Sequence, residues 1–217
     1  MGKTLRIVCT SDTHNQIDRL PIPDGDVFLH AGDFSMGGSP EEIVRFNSFL
    51  GRLKHRHKIV IAGNHDFAFE RTPAEARALL TNATYLQDSE VTVEGVRIYG
   101  SPWQPWFLDW AFNLERGPAI KAKWDLIPPG VDILMTHGPP LGHGDEAPRS
   151  GGKTERVGCA DLLDAVRRVK PVYHIYGHIH EGYGETRDEH TTYVNASMCD
   201  AAYDPIQRPR LLRFPPR

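Results

Sequence analysis

Residues 58–66 read Lys-Ile-Val-Ile-Ala-Gly-Asn-His-Asp, an apolar run that passes directly into a polar turn. A short apolar run closed by glycine is typical of a buried strand in a parallel sheet. The same pattern, an apolar run followed at once by polar residues, occurs at Leu5–Cys9, Val27–His30, Asp132–Thr136 and Val172–Tyr176. The chain is therefore predicted to return repeatedly to one edge of a sheet and to leave polar side chains there.

Amphipathic helices are expected between these strands. Residues 39–42 (Ser-Pro-Glu-Glu) have the form of a capping box with proline at the first helical position, and residues 72–75 (Thr-Pro-Ala-Glu) repeat it. Residues Cys159–Val169 are predicted to form a third helix. Residues 91–99 (Val-Thr-Val-Glu-Gly-Val-Arg-Ile-Tyr) instead have the signature of a β-hairpin with a two-residue turn. These patterns predict an α/β fold with a mixed sheet or two sheets.

The composition limits the class of protein. The chain has 217 residues, of which 40% are hydrophobic, and we expect a single domain over residues 1–217. A formal charge of −3 provides no basic field for a stable complex with nucleic acid. We find no membrane span or signal-peptide pattern and expect a soluble cytoplasmic protein. Three widely spaced cysteines indicate neither a disulfide framework nor a thiolate zinc site.

Seven residues of metal-binding types lie at the predicted strand ends, in an order that indicates two adjacent metal ions. They are Asp12, His14, Asp33, Asn64, His137, His178 and His180. Two divalent cations held ~3.5–4 Å apart need a shared anionic ligand, and we expect Asp33 to be that bridge. Asp12 and His14 are two residues apart, and on an extended strand end they would point to the same side. The expected ligand sets are Asp12, His14, Asp33 and His180 for one ion, and Asp33, Asn64, His137 and His178 for the other.

These two ligand sets predict hydrolysis of a phosphoester. Two divalent cations against two carboxylates leave a net charge of about +2, which suits a phosphate, and a water bridging them would attack phosphorus as hydroxide. The leaving alkoxide then needs a proton. We expect His65 to donate it and Asp66 to orient the His65 ring, with Asn64 and His65 contacting the substrate. Imidazole and carboxylate ligands suit Mn²⁺, Fe or Zn²⁺, and the sequence leaves these three open.

The order of these motifs is similar to that of the calcineurin-like metallophosphoesterase superfamily. Its members carry Asp-x-His, Gly-Asp, Gly-Asn-His-Asp or -Glu, His and Gly-His-x-His in this order, and the chain has all five. Further segments resemble the metallophosphoesterase-domain-containing subfamily, so that the resemblance covers nearly the whole chain. These segments are residues 100–107 (Gly-Ser-Pro-Trp-Gln-Pro-Trp-Phe), 112–114, 133–142 and 180–197.

The resemblance implies a four-layer α-β-β-α sandwich of two mixed sheets, a dinuclear site and Mn²⁺-supported hydrolysis of phosphodiesters. It also implies nucleotides as candidate ligands, such as cyclic nucleotides, AMP or GMP. Some subfamily members have glycine at the position of His178, which weakens one metal position, and this chain should resemble the competent members. We therefore predict a phosphodiesterase acting on nucleotide or cyclic-nucleotide diesters. The alternatives are a phosphomonoesterase or protein phosphatase with the same ligands, and a slow AMP- or GMP-binding sensor.

Two segments are candidates for substrate selection. Trp103–Phe112 holds three tryptophans and two phenylalanines, and it either seals a satellite core at the surface or forms a base-stacking wall over the metals. Residues 143–153 could form a mobile loop that supplies Arg149 or Lys153 to a phosphate. Residues 151–154 (Gly-Gly-Lys-Thr) do not make a P-loop, because Ala147 occupies the position of its leading glycine.

Overall fold

The computed structural model of the protein describes residues 4–215, in which strands and helices alternate. The strands are β1 (Leu5–Thr10), β2 (Val27–His30), β3 (His57–Val60), β4 (Thr84–Tyr85), β5 (Ser89–Val93), β6 (Val96–Ser101), β7 (Gln104–Pro105), β8 (Asn113–Leu114), β9 (Ile133–Thr136), β10 (Glu146–Arg149), β11 (Lys153–Arg156), β12 (Tyr173–Tyr176), β13 (Gly184–Arg187), β14 (Thr192–Asn195) and β15 (Arg210–Phe214). The α-helices are α1 (Pro40–Arg52), α2 (Ala68–Arg71), α3 (Pro73–Leu79), α4 (Pro118–Trp124) and α5 (Ala160–Val169). The strands predicted before the polar turns are present as β1, β2, β3, β9 and β12.

Two mixed sheets form the body of the fold. The first has the strand order β15-β1-β2-β3-β4, in which β15 is antiparallel to β1 and the other neighbours are parallel. The second has the order β13-β14-β12-β9-β6-β5, with parallel pairs at its centre and antiparallel β13 and β5 at its edges. The carboxyl ends of parallel strands lie at the same edge of a sheet. The turns that follow β1, β2 and β3 therefore meet at one edge of the first sheet, and those that follow β9 and β12 meet at one edge of the second.

The alternation of side chains along the strands produces four layers. In β1, Ile7 and Cys9 belong to the core between the two sheets, whereas Val8 belongs to the cluster on the opposite face. Helices α1, α2 and α3 cover that outer face of the first sheet. Helices α4 and α5 cover the outer face of the second sheet, where Leu134 and Tyr176 share a buried cluster with Trp124. The expected α-β-β-α sandwich is confirmed.

The predicted capping box of α1 is present, whereas the one predicted for α3 is absent. Ser39 Oγ accepts a hydrogen bond from the Glu42 backbone N–H, and the Glu42 carboxylate accepts one from the Ser39 N–H, so the capping box of α1 is complete. Thr72 makes no side-chain cap for α3. Its hydroxyl donates instead to the Ala68 carbonyl at 3.4 Å, because α2, which the sequence patterns did not predict, ends immediately before it.

The segment expected to be a loop at residues 143–153 contains the first strand and the turn of a β-hairpin that extends to Arg156. Strands β10 and β11 pair antiparallel, with Arg149 opposite Lys153 across a short turn. This hairpin gave no sequence signal, because its strands are largely exposed and charged and contain Pro148, so they lack the apolar alternation that marks a half-buried strand. Among residues 4–215, no helix is both long enough and apolar enough to cross a membrane.

Candidate metal centre

The side chains that follow β1, β2, β3, β9 and β12 meet between the carboxyl ends of the two sheets. Three groups have ligand atoms that lie within 4.8 Å of one another: Asp12, His14 and His180; His14, Asp33 and His65; and Asp33, His137 and His178. The Asn64 side-chain oxygen lies 2.8 Å from His137 Nε2. All seven residues that the sequence proposed as ligands are therefore in one site.

Unusual backbone conformations aim several of these side chains. Asp12, His14, Asp33 and His178 have φ values of 50°, 39°, 55° and 69°, in the left-handed region that residues other than glycine rarely adopt. The expectation that Asp12 and His14 share a side because they lie on an extended strand end is therefore wrong. They converge because the chain turns sharply after β1. Strain of this kind costs about 1–3 kcal/mol per residue and persists only where the surrounding structure holds it, commonly at functional sites.

The first ligand group lies around Asp12. Its carboxylate is fully buried and accepts hydrogen bonds from the His178 N–H at 3.0 Å and from Ser197 Oγ at 2.9 Å. His180 Nδ1 donates to the Asp200 carbonyl at 2.8 Å, so in the neutral ring Nε2 carries a lone pair. That Nε2 atom faces Asp12 Oδ1 at 3.5 Å and His14 Nε2 at 3.3 Å.

The second ligand group has the same arrangement around His137. Its Nδ1 donates to the Ala31 carbonyl at 3.0 Å, so in the neutral ring the lone pair is on Nε2. This Nε2 atom faces Asn64 Oδ1 at 2.8 Å and Asp33 Oδ2 at 3.3 Å. The same Asp33 Oδ2 atom lies 4.0 Å from His14 Nε2 of the first group. Asp33 therefore lies between the two groups, where a shared ligand must be.

When the rings are neutral, these atoms all carry lone pairs and repel one another unless a proton or a metal ion lies among them, and the donor set fits divalent metal ions. Burial lowers the pKa of His137, but the Asp33 carboxylate opposes this and the pKa is raised to about 9. Burial and Asp12 act in the same opposed way on His180, whose pKa is also raised to about 9. Burial lowers the pKa of His14 to about 4 and that of His178 to about 3, so both rings are neutral and can ligate. Each group thus contains one ring, His137 or His180, whose protonated form the neighbouring carboxylate favours.

The sequence and the fold of this chain have counterparts among known proteins. The family model described as calcineurin-like phosphoesterase matches residues 5–182. The chain belongs to the calcineurin-like phosphoesterase family. Over 97% of its length it is 51% identical to human metallophosphoesterase domain-containing protein 1, of which it covers 71%. It is 43% identical, again over 97% of its length, to UPF0046 protein T07D4.2 of Caenorhabditis elegans, of which it covers 60%. The resemblance to the metallophosphoesterase-domain-containing subfamily is confirmed.

Two solved structures share the fold of this calcineurin-like phosphoesterase at low sequence identity. TT1561 of Thermus thermophilus is 13% identical with a TM-score of 0.60, and the match covers 99% of this chain and 100% of that one. A phosphopantetheinyl hydrolase from Mycobacterium tuberculosis is 16% identical with a TM-score of 0.60, and the match covers 95% of each chain. These two structures support the fold, whereas the family assignment rests on the sequence matches. Membership of the family makes the protein a phosphoesterase that uses divalent metal ions.

Metal binding by this phosphoesterase is expected to release protons. In the metal-free protein His137 and His180, with pKa values of about 9, are protonated at pH 7, and a cation at each group must displace those protons. We expect ~2 protons to be released from these two rings on saturation at pH 7, in addition to any proton lost by a metal-bound water, and the apparent affinity to fall as the pH decreases below about 9. Calorimetric titration with Mn²⁺ in buffers of different ionisation enthalpy measures this release. Binding heats that are identical in all buffers would contradict it.

His65 lies beside this metal centre, but Asp66 does not orient it as expected. The His65 ring donates from Nδ1 to the Met36 carbonyl at 2.9 Å. The Asp66 carboxylate turns away from that ring and accepts hydrogen bonds from the backbone N–H groups of Gly63, Asp33 and Ser35. The prediction that Asp66 fixes the His65 ring is therefore wrong, because the buried carboxylate satisfies the backbone donors of the neighbouring turns. Asp66 holds the loop that carries Asp33.

Two adjoining cavities open at the metal centre. The one over the ligands has a volume of about 250 Å³, and its walls include Asp33, Asn64, His65, His178, His180, Phe107, Trp110 and Tyr203. The second has a volume of about 370 Å³ and shares His178, Ile179 and Phe107 with the first. Its other walls include Trp106, Arg116, Arg149 and Arg156. A bound phosphate can therefore extend a substituent from the metals into the second cavity.

Part of the aromatic segment Trp103–Phe112 packs into buried clusters, and part of it lines the cavities beside the metal centre. Trp103 and Phe112 pack against each other with ring centroids 5.5 Å apart and join buried clusters. Trp106 and Phe107 are 56% and 46% exposed and line the second cavity. Sequence reasoning missed Tyr203, whose ring lies 4.6 Å from that of His14, because its surroundings carry no motif. Burial raises the pKa of the Tyr203 phenol and the carboxylates of Asp33 and Asp12 raise it further, so the hydroxyl is protonated at neutral pH.

Proposed function

We propose that the protein is a dinuclear, Mn²⁺-dependent phosphodiesterase that hydrolyses small nucleotide-type diesters, including cyclic nucleotides. The observation that carries this proposal is the position of Asp33, whose Oδ2 atom lies 3.3 Å from His137 Nε2 and 4.0 Å from His14 Nε2. A carboxylate reached by two ligand groups is what a pair of adjacent divalent cations requires. When bound, the two cations would neutralise the phosphate and supply a hydroxide nucleophile at neutral pH.

The role assigned to His65 is to protonate the leaving oxygen. Its backbone N–H donates to Asp33 Oδ1 at 2.8 Å, which fixes the residue next to the shared ligand. Its ring donates from Nδ1 to the Met36 carbonyl, so Nε2 is directed to the cavity side, 4.0 Å from Asp33 Oδ2. The Trp110 ring lies 4.3 Å from the His65 ring and restrains its rotation. In the doubly protonated ring, Nε2–H is the donor available to a substrate.

The second cavity favours a diester over a monoester. A phosphodiester carries substituents on two sides of phosphorus, and both need space beside the metals. The cavity of about 370 Å³ begins at His178 and offers that space. The exposed faces of Trp106 and Phe107 suit a planar base. Arg149 and Arg156 also line this cavity, but they are paired with Glu155 and with Asp145 and Glu146, so an anionic substituent would have to compete with those carboxylates. A nucleotide combines a planar base with a phosphoryl group that the metals would bind, whereas the formal charge of −3 argues against a stable nucleic-acid complex.

Steady-state rates on three substrates test this function. With Mn²⁺-loaded protein, kcat/KM for bis-p-nitrophenyl phosphate should exceed that for p-nitrophenyl phosphate by about tenfold or more, a difference of ~1.4 kcal/mol in transition-state binding. Cyclic AMP should also be hydrolysed. A preference for the monoester would contradict the proposal and favour a phosphomonoesterase or protein phosphatase. Tight AMP binding without turnover of any ester would favour a sensor. Elemental analysis of the purified protein tests Mn²⁺ against Fe and Zn²⁺.

A further inference from the structure

A tight turn at Asp200–Asp204 lies against the metal centre, outside residues 5–182 that match the family model. The Asp200 carbonyl accepts hydrogen bonds from His180 Nδ1 at 2.8 Å and from the Tyr203 N–H at 2.9 Å. The Asp200 side chain accepts from the N–H groups of Ala202 and Asp204, each at 2.9 Å. Gln16 donates from its side chain to the Tyr203 carbonyl. The turn is thus fixed both to a proposed metal ligand and to the segment that follows β1.

Tyr203 is held over the cavity by this turn. Its ring centroid lies 4.6 Å from that of His14, 5.6 Å from that of His180 and 6.0 Å from that of His65. The side chain is 37% exposed, so it does not serve to fill the core. Its φ of 64° is a left-handed conformation that bulky residues rarely adopt, and the hydrogen bonds of the turn maintain it.

The Tyr203 hydroxyl differs from most other tyrosine hydroxyls of the protein. Those of Tyr173, Tyr176 and Tyr183 donate to backbone carbonyls at 3.0, 3.0 and 2.7 Å. Within residues 4–215, the Tyr203 hydroxyl has no hydrogen-bond partner. A phenol that is free to donate, beside a site that must bind an anion, is suited to contact that anion.

We propose that Tyr203 is a substrate-contacting residue, whose hydroxyl donates a hydrogen bond to a non-bridging oxygen of the phosphoryl group. This proposal rests on the proposed hydrolysis at the same site. Tyr203 and His65 both pack beside His14 and both line the cavity over the ligands. A phosphoryl group in that cavity has the His65 ring on one side and the Tyr203 phenol on another. Two donors then have separate tasks, since His65 serves the leaving oxygen and Tyr203 an oxygen that stays on phosphorus.

The dependence on the leaving group separates this role from proton donation. In Tyr203→Phe the ring and the backbone are kept and only the hydroxyl is lost. We expect kcat/KM to fall about tenfold for methyl p-nitrophenyl phosphate and by the same factor for methyl phenyl phosphate, because the variant loses a hydrogen bond to a charged oxygen that stays on phosphorus. Metal content and thermal stability should be unchanged. Tyr173→Phe, which removes a hydroxyl at the opposite end of β12, is the matched control and should keep wild-type rates.

Binding of inorganic phosphate provides a readout that does not depend on turnover. The Kd of the Mn²⁺-loaded protein for phosphate, measured by calorimetry, should rise about tenfold in Tyr203→Phe and stay unchanged in Tyr173→Phe. Unchanged phosphate affinity would overturn the proposal, and so would a rate loss that grows with the pKa of the leaving group. Failure of the wild-type protein to hydrolyse any diester would instead refute the proposed function, while phosphate binding would still test the contact of Tyr203.

Discussion

Asp33→Asn is expected to release both metal ions and to lower kcat/KM for a phosphodiester by ~10³-fold or more. Asp33 is only 2% exposed, and one of its oxygens lies between His137 Nε2 and His14 Nε2. Asparagine keeps the shape but removes the negative charge and one of the two acceptor oxygens. Neither ion then has its shared ligand, and the histidines that face Asp33 lose the charge that balances a cation. Elemental analysis after dialysis and steady-state rates measure the two effects.

Asp132→Asn is the matched control for this substitution. Asp132 is 3% exposed and directly precedes β9, at the opposite end of that strand from His137. Its variant should retain both metals and wild-type rates. Circular dichroism establishes that each variant is folded before its metal content is interpreted. Retention of two ions, or of one, by folded Asp33→Asn would refute the assignment of Asp33 as the bridge.

His65→Ala is expected to lower the rate by ~10²–10⁴-fold on diesters with alkyl leaving groups and to have a much smaller effect on p-nitrophenyl esters. An alkoxide needs a proton as it departs, whereas p-nitrophenolate is stable without one. Because His65 is assigned to the leaving oxygen and to neither metal, the variant should keep its metal content. The ratio of rates on methyl p-nitrophenyl phosphate and dimethyl phosphate, measured for wild type and variant, isolates this effect.

Two further variants, His65→Gln and His190→Gln, are the controls for His65→Ala. Glutamine at position 65 fills most of the space beside Trp110, so a loss common to both His65 variants arises from the missing proton donor and not from collapse of the aromatic packing. His190 lies in an exposed loop, and its variant should behave as wild type. Equal losses on both kinds of leaving group would contradict the general-acid role. Loss of an ion in His65→Ala would make His65 a ligand, as its place near His14 and Asp33 allows.

Local patterns predicted much of the fold. In β1 the apolar run alternates between two buried faces, with Ile7 and Cys9 on one and Val8 on the other, so the run is continuous and its strand is easily recognised. The cap of α1 is equally local, because Ser39 and Glu42 are three residues apart. The hairpin of β10 and β11 was not predicted because its exposed, charged strands carry no apolar pattern. Thr72 was misread because a short helix before it competes for its hydroxyl.

In the candidate site, too, local features were predicted and contacts between distant segments were not. All seven proposed ligands converge, because each follows a parallel strand and such strands end at one edge of a sheet. The partner of His65 was predicted wrongly because adjacency in sequence suggested Asp66, whereas the contact made is with the Met36 carbonyl, far along the chain. Tyr203 was not predicted at all, since its approach to His14 joins residues at opposite ends of the chain.

The sequence by itself determined the strands that lead into the metal-binding turns, the polar residues of those turns, the order of the metal-binding residues and the family. These are short-range properties, set by side-chain alternation, turn chemistry and residue types that metals require. The tertiary structure alone decided that left-handed turns aim Asp12, His14 and Asp33, that Asp66 holds the Asp33 loop, and that Trp106 and Tyr203 border the cavities. Those features depend on contacts between segments distant along the chain, whose geometry is fixed only when the two sheets pack together.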